Sequence, residues 1–137
     1  NPEPPMFGVG AKDQAIVEMW QRRCELSLFF PIAHVFRHTH PAMKELEVPQ
    51  VPAWAEANKP RIADFLRVLD AQLAGNKFVA GERYTVADIA LYAYTHLAHL
   101  CDYDLATFPE IRAWLDRVAA QPHYVPMDWQ PETVAAE

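Results

Sequence analysis

Apolar residues recur every three or four positions through most of the chain, which is the spacing of amphipathic helices. The four stretches that show it cover approximately residues 13–39, 53–74, 85–101 and 107–121. Neither strand-like alternation nor an internal repeat interrupts them. Pro31 falls inside the first stretch and, because it lacks an N–H group, is expected to bend that helix. The pattern predicts an all-α bundle of about five helices.

Each stretch has a side that is expected to face the core. In the first, one face carries Ile16, Trp20, Arg23, Ser27 and Phe30, with Val17, Cys24 and Leu28 beside it. In the second, the apolar positions are Ile62, Phe65, Leu66, Leu69 and Leu73. In the fourth, they are Ile111, Trp114, Leu115 and Val118. The segment from 41 to 52 holds three prolines and is predicted to be a loop, and a second helix follows it.

The third stretch opens with a helix-capping pattern. Thr85 and Asp88 stand three residues apart, so the hydroxyl can accept from the Asp88 N–H while the carboxylate reaches back to the Thr85 N–H. Tyr84 and Ile89 flank this pair at the positions of a hydrophobic staple. Residues 89–101 include no Asp, Glu, Lys or Arg. We therefore expect the helix that Thr85 begins to be the buried central rod of the bundle. At the next helix, Thr107 is expected to act as the cap.

Composition excludes several functions. The formal net charge of −6 leaves no basic surface for nucleic acid. Uncharged runs are shorter than the ~20 apolar residues of a membrane span. Two widely separated cysteines, Cys24 and Cys101, indicate buried thiols in a reducing compartment, and so a cytoplasmic protein.

The chain is expected to divide into three parts. Residues 1–10 contain three prolines and two glycines near a start that is not Met, and they predict a remnant of an interdomain linker. Residues 11–124 predict the helical domain. Residues 125–137 predict a C-terminal tail. The linker-like start predicts that another segment precedes it.

Four motifs in this order resemble the C-terminal domain of bacterial cytosolic glutathione transferases. They are residues 1–5 (NPEPP), 19–23 (MWQRR), 78–89 (FVAGERYTVADI) and 108–114 (FPEIRAW) followed by Gln121-Pro122. The family places a thioredoxin-like domain before this one, and that domain supplies most glutathione contacts and the residue that activates the thiol. None of it is expected in these 137 residues. The resemblance therefore implies that this chain is not catalytically competent alone and holds no catalytic residue.

The resemblance also implies a role in detoxification. The family's glutathione thiolate attacks an electrophilic carbon or a peroxide, so glutathione is the implied co-substrate. The helical domain would form the wall of the pocket for an apolar electrophile and much of a homodimer surface. The positions carried over to that wall are Arg22, Leu26, Phe29, Phe30, Ala33 and Leu97. Some bacterial relatives have His at the position of Phe29, so this pocket is expected to be more apolar, and Arg22 could reach the carboxylates of glutathione.

Other interpretations of single features stay open. His34, His38 and His40 could hold a metal, although solvent-exposed or loop-capping histidines are favoured and no metal is expected. Asp102 and Asp104 could form an acidic pair, although two carboxylates that solvate a turn are the simpler interpretation. A stand-alone interaction module without catalysis, as in elongation-factor subunits and aminoacyl-tRNA synthetases, is the alternative function.

Overall fold

The first periodic stretch forms one long helical run that a wide turn interrupts. In the computed structural model, which describes residues 3–130, α1 spans Gly10–Cys24 and α2 spans Phe30–Thr39. A π-helical turn joins them over Glu25–Phe29, where the Phe30 N–H donates to the carbonyl five residues back. Pro31 lies in the first turn of α2, where a missing N–H costs least. The irregularity predicted at Pro31 is thus a π turn just before it.

Three further helices complete the bundle. α3 spans Pro52–Ala74, α4 spans Val86–His96 and α5 spans Pro109–Ala119. Short 3-10 turns lie at Pro41–Met43, Ala98–Cys101 and Leu105–Thr107. Between residues 3 and 130 the structure has no strand, only one isolated bridge between Phe78 and Gly81. The predicted all-α fold with five helices is confirmed.

The core lies where α3 meets the long helical run and α5. α2 packs chiefly against α3, α1 against α4, and α3 against α5. All five apolar positions predicted for α3 are buried. The first helix faces the core with a slightly different set than predicted: Val17, Trp20, Cys24, Leu28, Ile32 and Val35. Arg23 and Phe30 are exposed instead, because the core stripe runs along the neighbouring row, and the Arg23 guanidinium lies 4.3 Å from the Trp20 ring centre.

The third helix is shorter and less buried than its lack of charge suggested. α4 ends at His96, and a 3-10 turn continues to Cys101. Ile89 remains 48% exposed, and Ala90 and Ala93 are half-buried. The prediction of a rod buried all round is therefore wrong. α4 packs on α1, on the π turn and on α5, and Ile89 on its uncharged outer side stays accessible.

The cap of the last helix comes from another helix and not from Thr107. Phe108 is the residue before the first turn of α5 and has no side-chain cap of its own. The Asp70 carboxylate of α3 instead accepts from the Glu110 and Ile111 N–H groups, at 2.9 and 3.0 Å. The Thr107 hydroxyl donates to the Asp104 carbonyl. Asp70 joins α3 to the N-terminus of α5, a long-range contact that local spacing does not reveal.

The segment before α1 lies against the start of α4. The Met6 carbonyl accepts from the Val86 N–H at 3.0 Å, and the Asp13 carboxylate accepts from the Val9 N–H at 2.7 Å and pairs with Arg83. The predicted boundaries at residues 10 and 124 stay predictions, and residues 1, 2 and 131–137 lie outside the described part. None of the helices in the described part is both long and apolar enough to cross a membrane.

Candidate functional site

The predicted capping pair at the start of α4 is present, and it makes contacts beyond the predicted ones. Thr85 and Asp88 form a capping box, in which the Asp88 Oδ2 accepts from the Thr85 N–H at 2.9 Å and from its hydroxyl at 3.1 Å. The other oxygen, Oδ1, accepts from the Val79 N–H and from the Trp114 Nε1–H. Both Thr85 and Asp88 are buried. This cluster fixes the direction of α4 and hence the position of its last turn.

The staple expected beside the cap stays a prediction. Tyr84 is half-buried and its ring lies edge-on to Phe78, with ring centres 5.6 Å apart. Ile89, which would be its staple partner, keeps about half of its surface exposed.

The residues that the family resemblance assigns to the pocket wall lie on the outer side of the α1–α2 run and at the end of α4. Leu26 and Phe30 are 55% and 41% exposed, while Phe29, Ala33 and Leu97 are half-buried. The rings of Phe29 and Phe30 lie 5.9 Å apart. Leu26 and Phe29 lie in the π turn, and such turns are frequent at functional sites. We call this surface, Leu26, Phe29, Phe30, Ala33 and Leu97 together with Tyr94, the aromatic face.

Tyr94 is the member of this face that was not predicted from the sequence. Its ring stacks on Phe29 with centres 4.9 Å apart and planes 25° from parallel. Burial raises the pKa of the Tyr94 phenol, and the neighbouring Glu25 carboxylate raises it further. Tyr94 stands one helical turn before Leu97, so spacing on α4 was the signal that could have found it.

Arg22 lies on the same side of the run, but its charge is already paired. Its guanidinium makes ion pairs with Glu18 at 3.1 Å and with Glu25 at 2.5 Å, and half of the side chain is exposed. The pair with Glu18 is exposed and contributes about 0–1 kcal/mol, so Glu18 can be exchanged for another anion at small cost. Glu25 is only a quarter exposed and its Oε2 is buried, so its pair with Arg22 is harder to replace.

Grooves lie elsewhere on the described surface, and two of them adjoin the long helical run. One, of about 270 Å³, lies between the π turn and α3 and is lined by Ser27, Arg61, Asp64, Phe65 and Val68. The other, of about 220 Å³, lies between Phe7 and the first turns of α1. Neither contains a residue of the aromatic face.

The histidines and cysteines do not assemble into a second site. Within residues 3–130, no three His, Cys, Asp or Glu side chains come close enough to hold a metal ion together. Cys24 and Cys101 are buried and free, as predicted. Burial raises the pKa of the Cys24 thiol to about 12, with Asp88 adding to it, and that of Cys101 to about 11. Asp102 and Asp104 are exposed, and Asp104 caps the turn that follows it.

Comparison with known proteins gives one consistent result. The family model described as the glutathione S-transferase, C-terminal domain, matches residues 28–122. Glutathione S-transferase 2 of Saccharomyces cerevisiae is 26% identical over 121 residues, which are 87% of this chain and 52% of the yeast protein. The chain thus spans about half the length of that relative.

Solved structures show the same likeness. A glutathione S-transferase domain-containing protein of Marinobacter aquaeolei is 33% identical, with a TM-score of 0.80, over 87% of this chain and 59% of its own. Gtt2 of Saccharomyces cerevisiae also gives a TM-score of 0.80, at 25% identity, over 87% of this chain and 58% of its own.

Proposed function

Because the chain belongs to the glutathione S-transferase C-terminal domain family, we propose that its aromatic face forms one wall of a pocket for an apolar electrophile that reacts with glutathione. The observation that carries the proposal is the stacked pair of Phe29 and Tyr94 beside the exposed Leu26 and Phe30. Ligand pockets are lined predominantly by apolar and aromatic side chains with a few polar groups. Here the polar groups are the Tyr94 hydroxyl and the Arg22 guanidinium.

The chemistry itself is proposed to come from outside these residues. Attack on an electrophile requires the glutathione thiol to lose its proton, and the new S–C bond forms as the leaving group departs or as an electrophilic double bond accepts the electron pair. The free thiols of this chain are buried, with a pKa near 11 or 12, so neither is a nucleophile at neutral pH. The role of the aromatic face is to hold the electrophile near the thiolate.

An NMR titration of the 137-residue chain tests whether the aromatic face contacts the apolar part of a ligand. S-hexylglutathione carries a hydrocarbon chain where an electrophile would be joined, and unmodified glutathione is the matched control ligand. We expect S-hexylglutathione at millimolar concentration to shift the resonances of Leu26, Phe29, Phe30 and Leu97, and unmodified glutathione to shift them much less. Equal shifts from both ligands, or shifts elsewhere on the bundle, would contradict the proposal.

We also propose that the groove between the π turn and α3 belongs to the surface on which two copies associate. Val68 is exposed beside it, and Arg61 and Asp64 place opposite charges on its rim, so a two-fold contact can pair each with the other on the second copy. Sedimentation velocity of the wild type and of Asp64→Arg tests this. The variant repels Arg61 of the second copy, so dimers should dissociate; an unchanged dimer population, or a monomeric wild type, would overturn the assignment.

The alternative is an assembly module without catalysis, which would use the same helices. It predicts that neither glutathione ligand shifts the aromatic face at millimolar concentration. Free buried thiols suit a reducing compartment, and we propose a cytoplasmic location for either function.

A further inference from the structure

Two histidines at the end of α2 accept hydrogen bonds from the main chain of the segment that joins α2 to α3. We call this segment, residues 41–51, the connector; His40 is the residue that ends α2. The Val51 N–H donates to Nδ1 of His38 at 3.2 Å, and the Ala42 N–H donates to Nδ1 of His40 at 3.2 Å. The Phe36 ring stacks on the His40 ring with centres 4.5 Å apart, which fixes the orientation of that imidazole.

The rest of the connector depends on the same end of α2. The Gln50 Nε2 donates to the carbonyls of Arg37 and His40, at 2.8 and 3.0 Å. The Arg37 Nε donates to Glu47 at 2.7 Å. Few apolar contacts reinforce these bonds, since Leu46 and Val48 are both more than 70% exposed. The connector is therefore held mainly by polar contacts to one helix end.

An imidazole nitrogen that accepts a hydrogen bond must be without a proton. In the imidazolium form both ring nitrogens are donors, so protonation removes the acceptor that Val51 and Ala42 use. We propose that His38 and His40 form a pH-sensitive switch, which holds the Val51 and Ala42 N–H groups of the connector when both rings are neutral and releases these two groups when the rings are protonated. Histidine is the side chain that changes charge between about pH 5 and 8.

The surrounding charges do not prevent this change. On the same helix the neighbours are Arg37 and His34, whose ring lies 6.4 Å from that of His38. The connector carries Lys44 and Glu45, which are both exposed, and Glu47; the hydrogen bond from Arg37 lowers the pKa of the Glu47 carboxyl, so it stays ionised in mild acid and attracts an imidazolium. The first residues of α3, up to Ala55, are uncharged. The next charged residues, Glu56 and Lys59, form an ion pair with each other at 2.6 Å.

Release of the Val51 N–H group would also affect the first turn of α3. Val51 is the residue before the first turn of α3, and its carbonyl accepts from the Trp54 N–H at 2.9 Å. The Trp54 ring lies 5.7 Å from that of His34, which in turn lies 6.2 Å from Phe30. Loss of the Val51 contact is thus expected to loosen the Trp54 turn while the buried part of α3 stays folded.

Amide exchange of the intact 137-residue chain tests the switch, independently of any glutathione ligand. Protection factors of Val51 and Ala42 are measured at pH 8 and pH 5, with the buried Leu69 amide of α3 as the internal reference. In the wild type both connector amides should lose protection at pH 5 by about five- to tenfold, the factor set by the net contribution of one hydrogen bond. Leu69 should keep its protection.

The double variant His38→Asn and His40→Asn is the matched control. The Asn side-chain oxygen lies close to where Nδ1 was, accepts from the same N–H groups and does not titrate. Its connector amides should be equally protected at both pH values. The switch is overturned if wild-type protection is the same at pH 5 and pH 8, if the double variant loses protection as the wild type does, or if Leu69 loses it in parallel.

Discussion

The Trp114 indole donates a hydrogen bond to the Asp88 carboxylate at 3.0 Å, which joins α5 to the first turn of α4 inside the core. Both side chains are fully buried. The same carboxylate receives the Val79 and Thr85 N–H groups and the Thr85 hydroxyl. A group identified from sequence as a local helix cap therefore also connects two helices and the turn before α4.

Removing this carboxylate should destabilise the whole bundle. Asp88→Ala leaves four donors without an acceptor in the core, and buried unsatisfied groups cost about 1–3 kcal/mol each, so we expect a loss of about 3 kcal/mol or more in the free energy of unfolding. Trp114→Phe removes one donor and should cost less. Urea unfolding followed by circular dichroism measures both. A loss below that of Trp114→Phe would show that Asp88 is only a local cap.

The pH dependence of stability reports the charge state of Asp88. Burial raises the pKa of this carboxyl above its ordinary value of 3.8, although the hydrogen bonds to it act in the opposite direction. The folded state then binds the proton more tightly than the unfolded state, so this group's contribution to stability increases as pH falls through the raised pKa. Asp88→Asn lacks that contribution. The stability difference between wild type and Asp88→Asn should therefore grow from pH 7 to pH 4, and a shrinking difference would contradict the raised pKa.

Asp70 should behave as a helix cap even though it lies on another helix. Its carboxylate accepts from two N–H groups of α5, and losing a cap costs about 0.5–2 kcal/mol. We expect Asp70→Ala to lower the free energy of unfolding by that amount. Glu56→Ala is the control: Glu56 lies on the same helix but is two-thirds exposed and pairs with Lys59, so its loss should cost under about 0.5 kcal/mol. Equal effects in urea unfolding would contradict the cap.

The two thiols should be unreactive in the native protein. Cys24 and Cys101 are buried, and both thiols stay protonated at pH 8. Ellman's reagent reacts with thiolates, so labelling at pH 8 should be slow in buffer and fast for both thiols in denaturant. Rapid modification of either thiol in the native state would show that the site is open or that its pKa is not raised.

The sequence was sufficient for the helices and for the core of α3, because Ile62, Phe65 and Leu69 recur at one clean spacing over a long stretch. It also located the capping box, since Thr85 and Asp88 are close in sequence. The contacts that it did not predict join residues far apart in sequence. Asp70 caps the start of α5, Trp114 donates to Asp88, and the Met6 carbonyl accepts from Val86.

The aromatic face was predicted in part. Phe29 and Phe30 follow from the register of the first helix, but Tyr94 reaches Phe29 only because α1 and α4 pack side by side. The exposed side of α4 was missed for a related reason. Absence of charge in Ile89 and its neighbours indicates an apolar surface, and only the packing shows which side of it is covered.

The central claim is that the aromatic face, and not the groove beside α3, receives an apolar electrophile. The most direct measurement is the affinity of S-hexylglutathione, by calorimetry, for the wild-type chain, Phe29→Ala and Val68→Ala. We expect Phe29→Ala to weaken binding about tenfold, the factor that corresponds to 1.4 kcal/mol of lost aromatic contact, and Val68→Ala to leave it unchanged. Weakening by Val68→Ala alone, or no binding to the wild type at millimolar concentration, would contradict the account.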